Sequence, residues 1–137
     1  MPKQVGFAGP NHVPAYQISG VPFVTSSAGD AVDTTTAKKI SFPFVTRFFV
    51  VTNLSADPLR VGFTENGVKG VETSNYFILP ATSSTDRLEL RCKELYLLAD
   101  ANTVEWSLTA GLTGVPYSQF PVLTGTLNDT ASFKGVG

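Results

Sequence analysis

Two segments of this 137-residue chain alternate strictly between apolar and other side chains. They are LRVGFT, residues 59–64, and VEWSLTA, residues 104–110. Successive side chains of a β-strand point to opposite faces of the sheet, so a period of two predicts strands with one buried face. In the second segment the alternation predicts that Val104, Trp106, Leu108 and Ala110 point inward and that Glu105, Ser107 and Thr109 point outward.

Six further segments have strand composition and are bounded by turn-forming residues. The consecutive apolar residues 48–51 predict a central strand covered on both faces. Asn66–Gly67 is the strongest short-range turn signal, and we expect a tight turn there. With the two alternating segments, the expected strands are residues 21–25, 40–44, 46–54, 59–63, 75–79, 86–92, 94–99 and 104–110.

Residues 86–99 fit two descriptions. Leu88, Cys92 and Leu95 have the spacing of a helix face, and the segment is rich in good helix formers. Leu88, Leu90 and Cys92 also alternate with charged residues, as in a strand. The β-rich surroundings favour two strands, Asp86–Cys92 and Glu94–Ala99, that meet at a sharp corner, with a helix as the alternative.

Eight short strands without a clear helix predict an all-β fold. The specific expectation is a single eight-stranded antiparallel jelly roll, a β-sandwich, over residues 15–112. Residues 1–14 and 113–137 are rich in Pro and Gly and are interpreted as extended N- and C-terminal arms. Because the C-terminal arm carries Tyr117, Phe120 and Phe133, we expect part of it to pack on the domain or on a neighbour.

The chain is poor in charge, with 15% charged residues against about 25% in typical domains. Either Ser and Thr solvate the surface or partners cover part of it. A net charge of −1, from ten basic and eleven acidic residues, does not predict nucleic-acid binding, which requires clustered Lys and Arg. The densest basic cluster, Arg87, Arg91 and Lys93, is interleaved with Glu89 and Glu94, as on a solvated strand face.

Neither a membrane span nor a signal peptide is expected. No apolar run approaches the roughly 20 residues that a membrane helix requires, and residues 1–14 lack the apolar segment of a signal peptide. Cys92 is the only cysteine, so the chain cannot form an internal disulfide.

Few residues are suited to catalysis. The only histidine, His12, lies in the expected N-terminal arm, whereas general bases and most zinc sites need a positioned histidine. Cys92 shares its strand face with Leu88 and Leu90, which predicts a small buried hydrophobe and not a nucleophile. The loop acids Asp30, Asp33, Glu65 and Glu72 match no calcium-loop spacing and are interpreted as solvated turn residues. We therefore predict no catalytic, cofactor-binding or metal-binding residue and no enzymatic activity.

Three passages carry a family resemblance. They are TRFFVVTNLSADPLRVGF at 46–63, GVKGVETSNYFIL at 67–79 with DRLELRCKELYL at 86–97, and VEWSLTAGLTGVP at 104–116. In pattern these passages resemble the vertex (penton) capsid proteins of large icosahedral double-stranded DNA viruses, which are single jelly rolls. The resemblance covers about half of the chain.

The resemblance implies a structural role. Five copies would form a ring at each five-fold vertex, set in a shell of major capsid protein and held by minor capsid proteins. The protein would be a component of the virion, assembled in the host-cell cytoplasm. It would contact no nucleic acid directly.

Two alternatives remain open from the sequence. One is another minor capsid position, and the other is a β-sandwich module that binds glycans or a receptor. A glycan site needs exposed aromatic platforms, for which Trp106, Tyr76 and Tyr117 are the candidates. The alternation around Trp106 instead predicts that its indole packs in the core.

Overall fold

A computed structural model describes residues 21–27, 29–70 and 74–120 of the chain. These residues form seven strands, one α-helix and a terminal 3-10 helix. The strands are β1 (Val21–Ser26), β2 (Lys38–Ser41), β3 (Phe44–Asn53), β4 (Leu59–Gly62), β5 (Tyr76–Leu79), β6 (Glu94–Ala99) and β7 (Trp106–Pro116), and the helices are α1 (Glu65–Lys69) and the 3-10 helix Tyr117–Gln119.

The strands form two antiparallel sheets. Sheet I has the order β1-β7-β3, and sheet II has the order β2-β6-β4-β5. The all-β prediction is confirmed. The expected number of eight strands is corrected to seven within the described residues, because the predicted strand 86–92 does not form.

The main hydrophobic core of the described residues lies between the two sheets. Its largest buried side chains come from both sheets and from the β2–β3 connection, and they include Trp106, Phe49, Leu95 and Phe42. The ring of Phe23, from β1, meets the ring of Phe42 edge to face at 5.2 Å. Burial of these side chains is the main favourable term that holds the sheets together.

Strand β7 lies at the centre of sheet I, between β1 and β3. The predicted inward residues Val104, Trp106, Leu108 and Ala110 are buried, which confirms the alternation. Strand β3 was expected to be the central strand covered on both faces, and this was wrong. Its outward residues 48, 50 and 52 are only half-buried, because its outer face belongs to the surface of the molecule.

Residues 84–92 contact the free edge of β3 without forming a regular strand. Two isolated bridges, Phe49 to Leu88 and Thr52 to Ser84, replace a continuous ladder with β3. The predicted strand 86–92 and the alternative helix were therefore both wrong, whereas residues 94–99 form β6 as predicted. Leu90, expected to point inward, is 43% exposed.

The hydroxyl of Thr46 takes part in this irregular pairing. On its other edge, strand β3 shifts its register against β7 between Phe44 and Phe48. At this bulge, Thr46 Oγ1 donates a hydrogen bond to the Leu90 carbonyl (2.7 Å) and accepts one from the Cys92 amide (3.0 Å). A side chain thus satisfies the polar groups that a ladder would otherwise pair.

The tight turn expected at Asn66–Gly67 was also wrong, because both residues lie in helix α1. Thr64 caps this helix, accepting a hydrogen bond from the Gly67 amide at 3.0 Å. Gly70 ends it in the left-handed conformation, with φ of 71°. The helix packs on the outer face of sheet II, where Val68 lies over Gly62.

The predicted domain boundaries, 1–14, 15–112 and 113–137, stay a prediction. Strand β7 continues past residue 112 to Pro116. The arm at residues 1–14 and the segment 121–137, including Phe133, lie outside the described residues.

Gly111→Ala tests the close packing of β3 on β7. A Cβ atom at Gly111 would lie 2.5 Å from Cε2 of Phe48, so the ring must swing away. We expect a loss of about 1–3 kcal/mol in the free energy of unfolding, the usual cost of overpacking. Urea denaturation measures it.

Thr109→Ala, on the same face of the same strand, serves as the control and should change stability by less. In a Phe48→Ala background the penalty of Gly111→Ala should shrink, because the clashing ring is gone. A Gly111→Ala variant as stable as the parent would contradict this account of the contact.

Candidate functional site

Cys92 lies in the core, as the sequence predicts. It is 1% exposed, and its sulfur lies 3.3 Å from Thr46 Oγ1. Burial raises the pKa of the Cys92 thiol to about 12, so the reactive thiolate is absent at neutral pH. This environment is that of a structural thiol.

The described loop acids each contact nearby residues. Asp33 Oδ1 accepts hydrogen bonds from the Thr36 and Thr35 amides at 2.7 and 2.9 Å, which lowers the pKa of Asp33. Glu65 pairs with Lys69 one helical turn away at 2.9 Å. His12 and Glu72 lie outside the described residues. Within the described ranges, no three His, Cys, Asp or Glu side chains come together as a metal site would require.

Trp106 is 1% exposed and belongs to the core, as predicted. Among the described residues its indole Nε1 has no hydrogen-bond acceptor. An indole enclosed in this way cannot serve as a stacking platform for a sugar.

Tyr76 is covered on one side by Arg60. The Arg60 guanidinium lies 4.4 Å from the ring centroid and donates a hydrogen bond to Asp100 Oδ1 at 2.9 Å. It also donates to the carbonyls of Val68 and Lys69, both at 3.3 Å, at the end of helix α1. Arg60 therefore ties β4, the helix and the β6–β7 loop together.

Lys93 departs from its expected place on a solvated strand face. It is 6% exposed, and its ammonium lies 4.4 Å from the Tyr117 ring centroid. Its Nζ also donates to the Phe120 carbonyl at 3.3 Å. Phe120 in turn packs on Val45 and Val115, so residues 117–120 cover this end of the domain. The tail aromatics were the sequence signal for this contact.

The outer face of sheet II is charged and partly covered. Helix α1 lies on it, and Lys39 pairs there with Glu94 at 3.2 Å. Tyr96 donates a hydrogen bond to Glu94 at 3.2 Å. Burial, followed by the negative charge of Glu94, raises the pKa of Tyr96 to about 12.

The centre of the outer face of sheet I is different, because its outward residues carry no charge, although the exposed Glu105 continues their row next to Ser107. Strand alternation and register place nine residues on this surface, which we call the sheet I outer face. They are Pro22, Val24, Ser26, Phe48, Val50, Thr52, Ser107, Thr109 and Gly111. Val24 is 71% exposed, and Arg87 lies at the margin with its guanidinium 5.4 Å from the Phe48 ring centroid.

Sequence reasoning missed this surface, although the outward positions of β7 gave a signal for it. Within the strand the outward polar residues are Ser107 and Thr109, which carry no charge, whereas Glu105 precedes the strand. The register shows that the residues opposite them in β1 and β3 are uncharged as well. We take this face as the candidate functional site, specifically as a candidate interaction surface.

Comparisons with protein-family models, curated proteins and solved structures found no match to this chain.

None of the helices in the described residues is long and apolar enough to cross a membrane.

The buried thiol predicts a fall in stability at alkaline pH. The unfolded Cys92 loses its proton near the ordinary thiol pKa of 9.0, whereas the folded thiol keeps its proton up to a pKa of about 12. Above pH 9 the folded state therefore binds more protons, and its stability drops by up to about 1.4 kcal/mol per pH unit. Urea unfolding at several values from about pH 8 to pH 10 measures this slope.

Cys92→Ala is the matched variant. It should be less stable at pH 8, because it leaves a cavity, but its stability should fall less steeply above pH 9. Tyr96 titrates in the same direction at higher pH, so Tyr96→Phe separates the two contributions. Equal slopes for Cys92→Ala and the parent would contradict the prediction.

Proposed function

We propose that this protein is a structural coat subunit of an icosahedral virus, a single jelly roll that forms a five-membered ring at the vertices. Its partners in this role are further copies of itself, the major capsid protein and minor capsid proteins. It would reside in the virion after assembly in the host-cell cytoplasm.

The strand pairing is the observation that carries the proposal. Strand β1 pairs with β7, β2 with β6, and β4 with β5, while residues 84–88 bridge to β3. The first strand thus pairs with the last, and each later pair is nested inside the previous one. A long hairpin rolled into two sheets has this order, and the position of residues 84–88, where an eighth strand would lie, supports the jelly roll that we propose.

Jelly rolls occur in viral capsids, but also in lectins and cupins, so fold alone does not select the function. The capsid role is supported by the resemblance of the passages in 46–116 to vertex subunits. It is supported further by the sheet I outer face, whose lack of charge is typical of the buried centre of an interface.

The glycan-binding alternative receives less support from these residues. Trp106 is buried, and Tyr76 and Tyr117 each have a cation 4.4 Å from the ring centroid, on a face where a sugar would stack.

Iodide quenching of the lone Trp106 checks this point. We expect very weak quenching in the folded protein, because the indole is 1% exposed, and strong quenching in urea. Free tryptophan amide provides the reference for full access. Efficient quenching of the folded protein, together with binding on a glycan array, would favour the alternative.

Native mass spectrometry and negative-stain microscopy of the purified full chain test the ring. At raised concentration we expect a species of five times the 14.6 kDa chain mass, with five-fold ring images. A chain that stays monomeric at every concentration, alone and mixed with the major capsid protein of its virus, would refute the proposal.

A further inference from the structure

We propose that residues 117–120 form a strap that opens while the two sheets stay folded. In the closed strap the ring of Tyr117 and the carbonyl of Phe120 lie against the Lys93 ammonium. Opening uncovers that ammonium together with the apolar pair Val45 and Val115. The strap is independent of the proposed capsid role, since it concerns one chain alone.

The strap is held by a small apolar cluster of its own. Val45, Val115 and Phe120 form this cluster, and none of them belongs to the main core between the two sheets. Strand β7 ends at Pro116, so no described strand pairs with the residues that follow it. Segments with few buried apolar contacts and no ladder open at a lower free energy than the core does. The strap can therefore detach without the loss of either sheet.

The polar contacts of the strap are weak. The Tyr117 amide donates a hydrogen bond to the Pro43 carbonyl at 3.1 Å, and Lys93 Nζ donates one to the Phe120 carbonyl at 3.3 Å. The second bond is longer than the usual range, which ends at about 3.2 Å. The middle of the strap, residues 118 and 119, is exposed to solvent. Closure therefore depends mainly on the two aromatic rings at its ends.

Lys93 contacts the strap and also lowers the cost of opening it. Its side chain is almost fully buried, and among the described residues no carboxylate forms an ion pair with it. A buried ammonium loses hydration that one carbonyl and one aromatic ring replace only in part. Opening returns the ammonium to water, and this gain offsets the loss of the Tyr117 ring. The cation therefore adds little net stability to the closed strap, and the Phe120 ring supplies the rest.

The surface beneath the strap is held by other parts of the fold. Thr113 Oγ1 donates a hydrogen bond to the Val45 carbonyl at 2.7 Å and accepts one from the Val115 amide at 3.2 Å. The Phe42 amide donates to the Lys93 carbonyl at 2.9 Å, which fixes the backbone at Lys93. None of these bonds involves the strap, so the two valines and the backbone at Lys93 stay in place when the strap detaches.

Two neighbouring residues of the full chain report on the two kinds of opening. Acetic anhydride acetylates the Lys93 amine when the strap opens, whereas iodoacetamide alkylates Cys92, in the main core, when the sheets come apart. Lys38, whose side chain is 46% exposed, gives the rate for an accessible lysine of the same chain. Trace amounts of each reagent are applied to separate samples over a series of urea concentrations. Mass spectrometry of the peptides gives the rate at each residue.

We expect Lys93 to be acetylated at least about tenfold more slowly than Lys38, because the closed strap predominates. Low urea should hardly change the Lys93 rate, since opening of the strap exposes little surface. The Cys92 rate should instead rise steeply with urea, because global unfolding exposes far more surface.

Val104→Ala separates the two kinds of opening. Val104 is fully buried in the main core, with the length of β7 between it and the strap, so its truncation weakens the closed and open forms alike. We expect about a tenfold rise in the Cys92 rate and less than about a twofold change at Lys93. Phe120→Ala weakens only the closed form and should raise the Lys93 rate about tenfold. Ser118→Ala, at an exposed position of the strap, is its matched control and should leave the Lys93 rate unchanged.

Several results would overturn the proposal. Equal urea slopes at Lys93 and Cys92, or equal responses to Val104→Ala, would mean that the strap opens only when the sheets unfold. Acetylation of Lys93 as fast as that of Lys38 would mean that the strap does not close. A Lys93 rate that Phe120→Ala leaves unchanged would mean that the strap is not what covers the amine.

Discussion

The fold depends on the position of β7 between β1 and β3. This strand is paired on both edges, and its inward residues Trp106, Leu108 and Ala110 fill the core opposite sheet II. Every second residue of β7 therefore has to be apolar, whereas the outward residues are constrained only by the side chains next to them on the sheet. At Gly111 a methyl group would displace the Phe48 ring, which lies against the backbone.

Side-chain and backbone hydrogen bonds together close the other edge of sheet I. The Thr46 hydroxyl bonds to the backbone of Leu90 and Cys92, and the Thr46 amide donates to the Cys92 carbonyl at 2.9 Å. Residues 84–92 remain beside β3 as an irregular segment, and Cys92 is drawn into the core. The strand pairs are therefore nested, and the pair formed by β3 and residues 84–92 is the irregular one. Side-chain hydrogen bonds can thus preserve a topology where the strand itself is lost.

Features that depend on the pattern of a single strand could be predicted from the sequence, whereas features that combine distant segments could not. The alternation of β4 and β7 predicted both strands and the burial of Trp106, because each pattern needs only one apolar and one outer face. The burial of Lys93 was not predicted, because its cover comes from Tyr117 and Phe120, far along the chain. The candidate surface was missed for the same reason: it combines three strands from distant parts of the sequence.

A period of two buries its apolar side chains only in a sheet, so the local pattern was enough to predict half-buried strands. The same local pattern predicted that Cys92 and Trp106 lie in the core. The helix at Asn66–Gly67 was not predictable in this way, because its Val68 packs over Gly62 of a neighbouring strand. The contacts between outward residues also depend on tertiary structure. Strand register brings distant residues together, and register depends on partner strands that a local pattern does not identify.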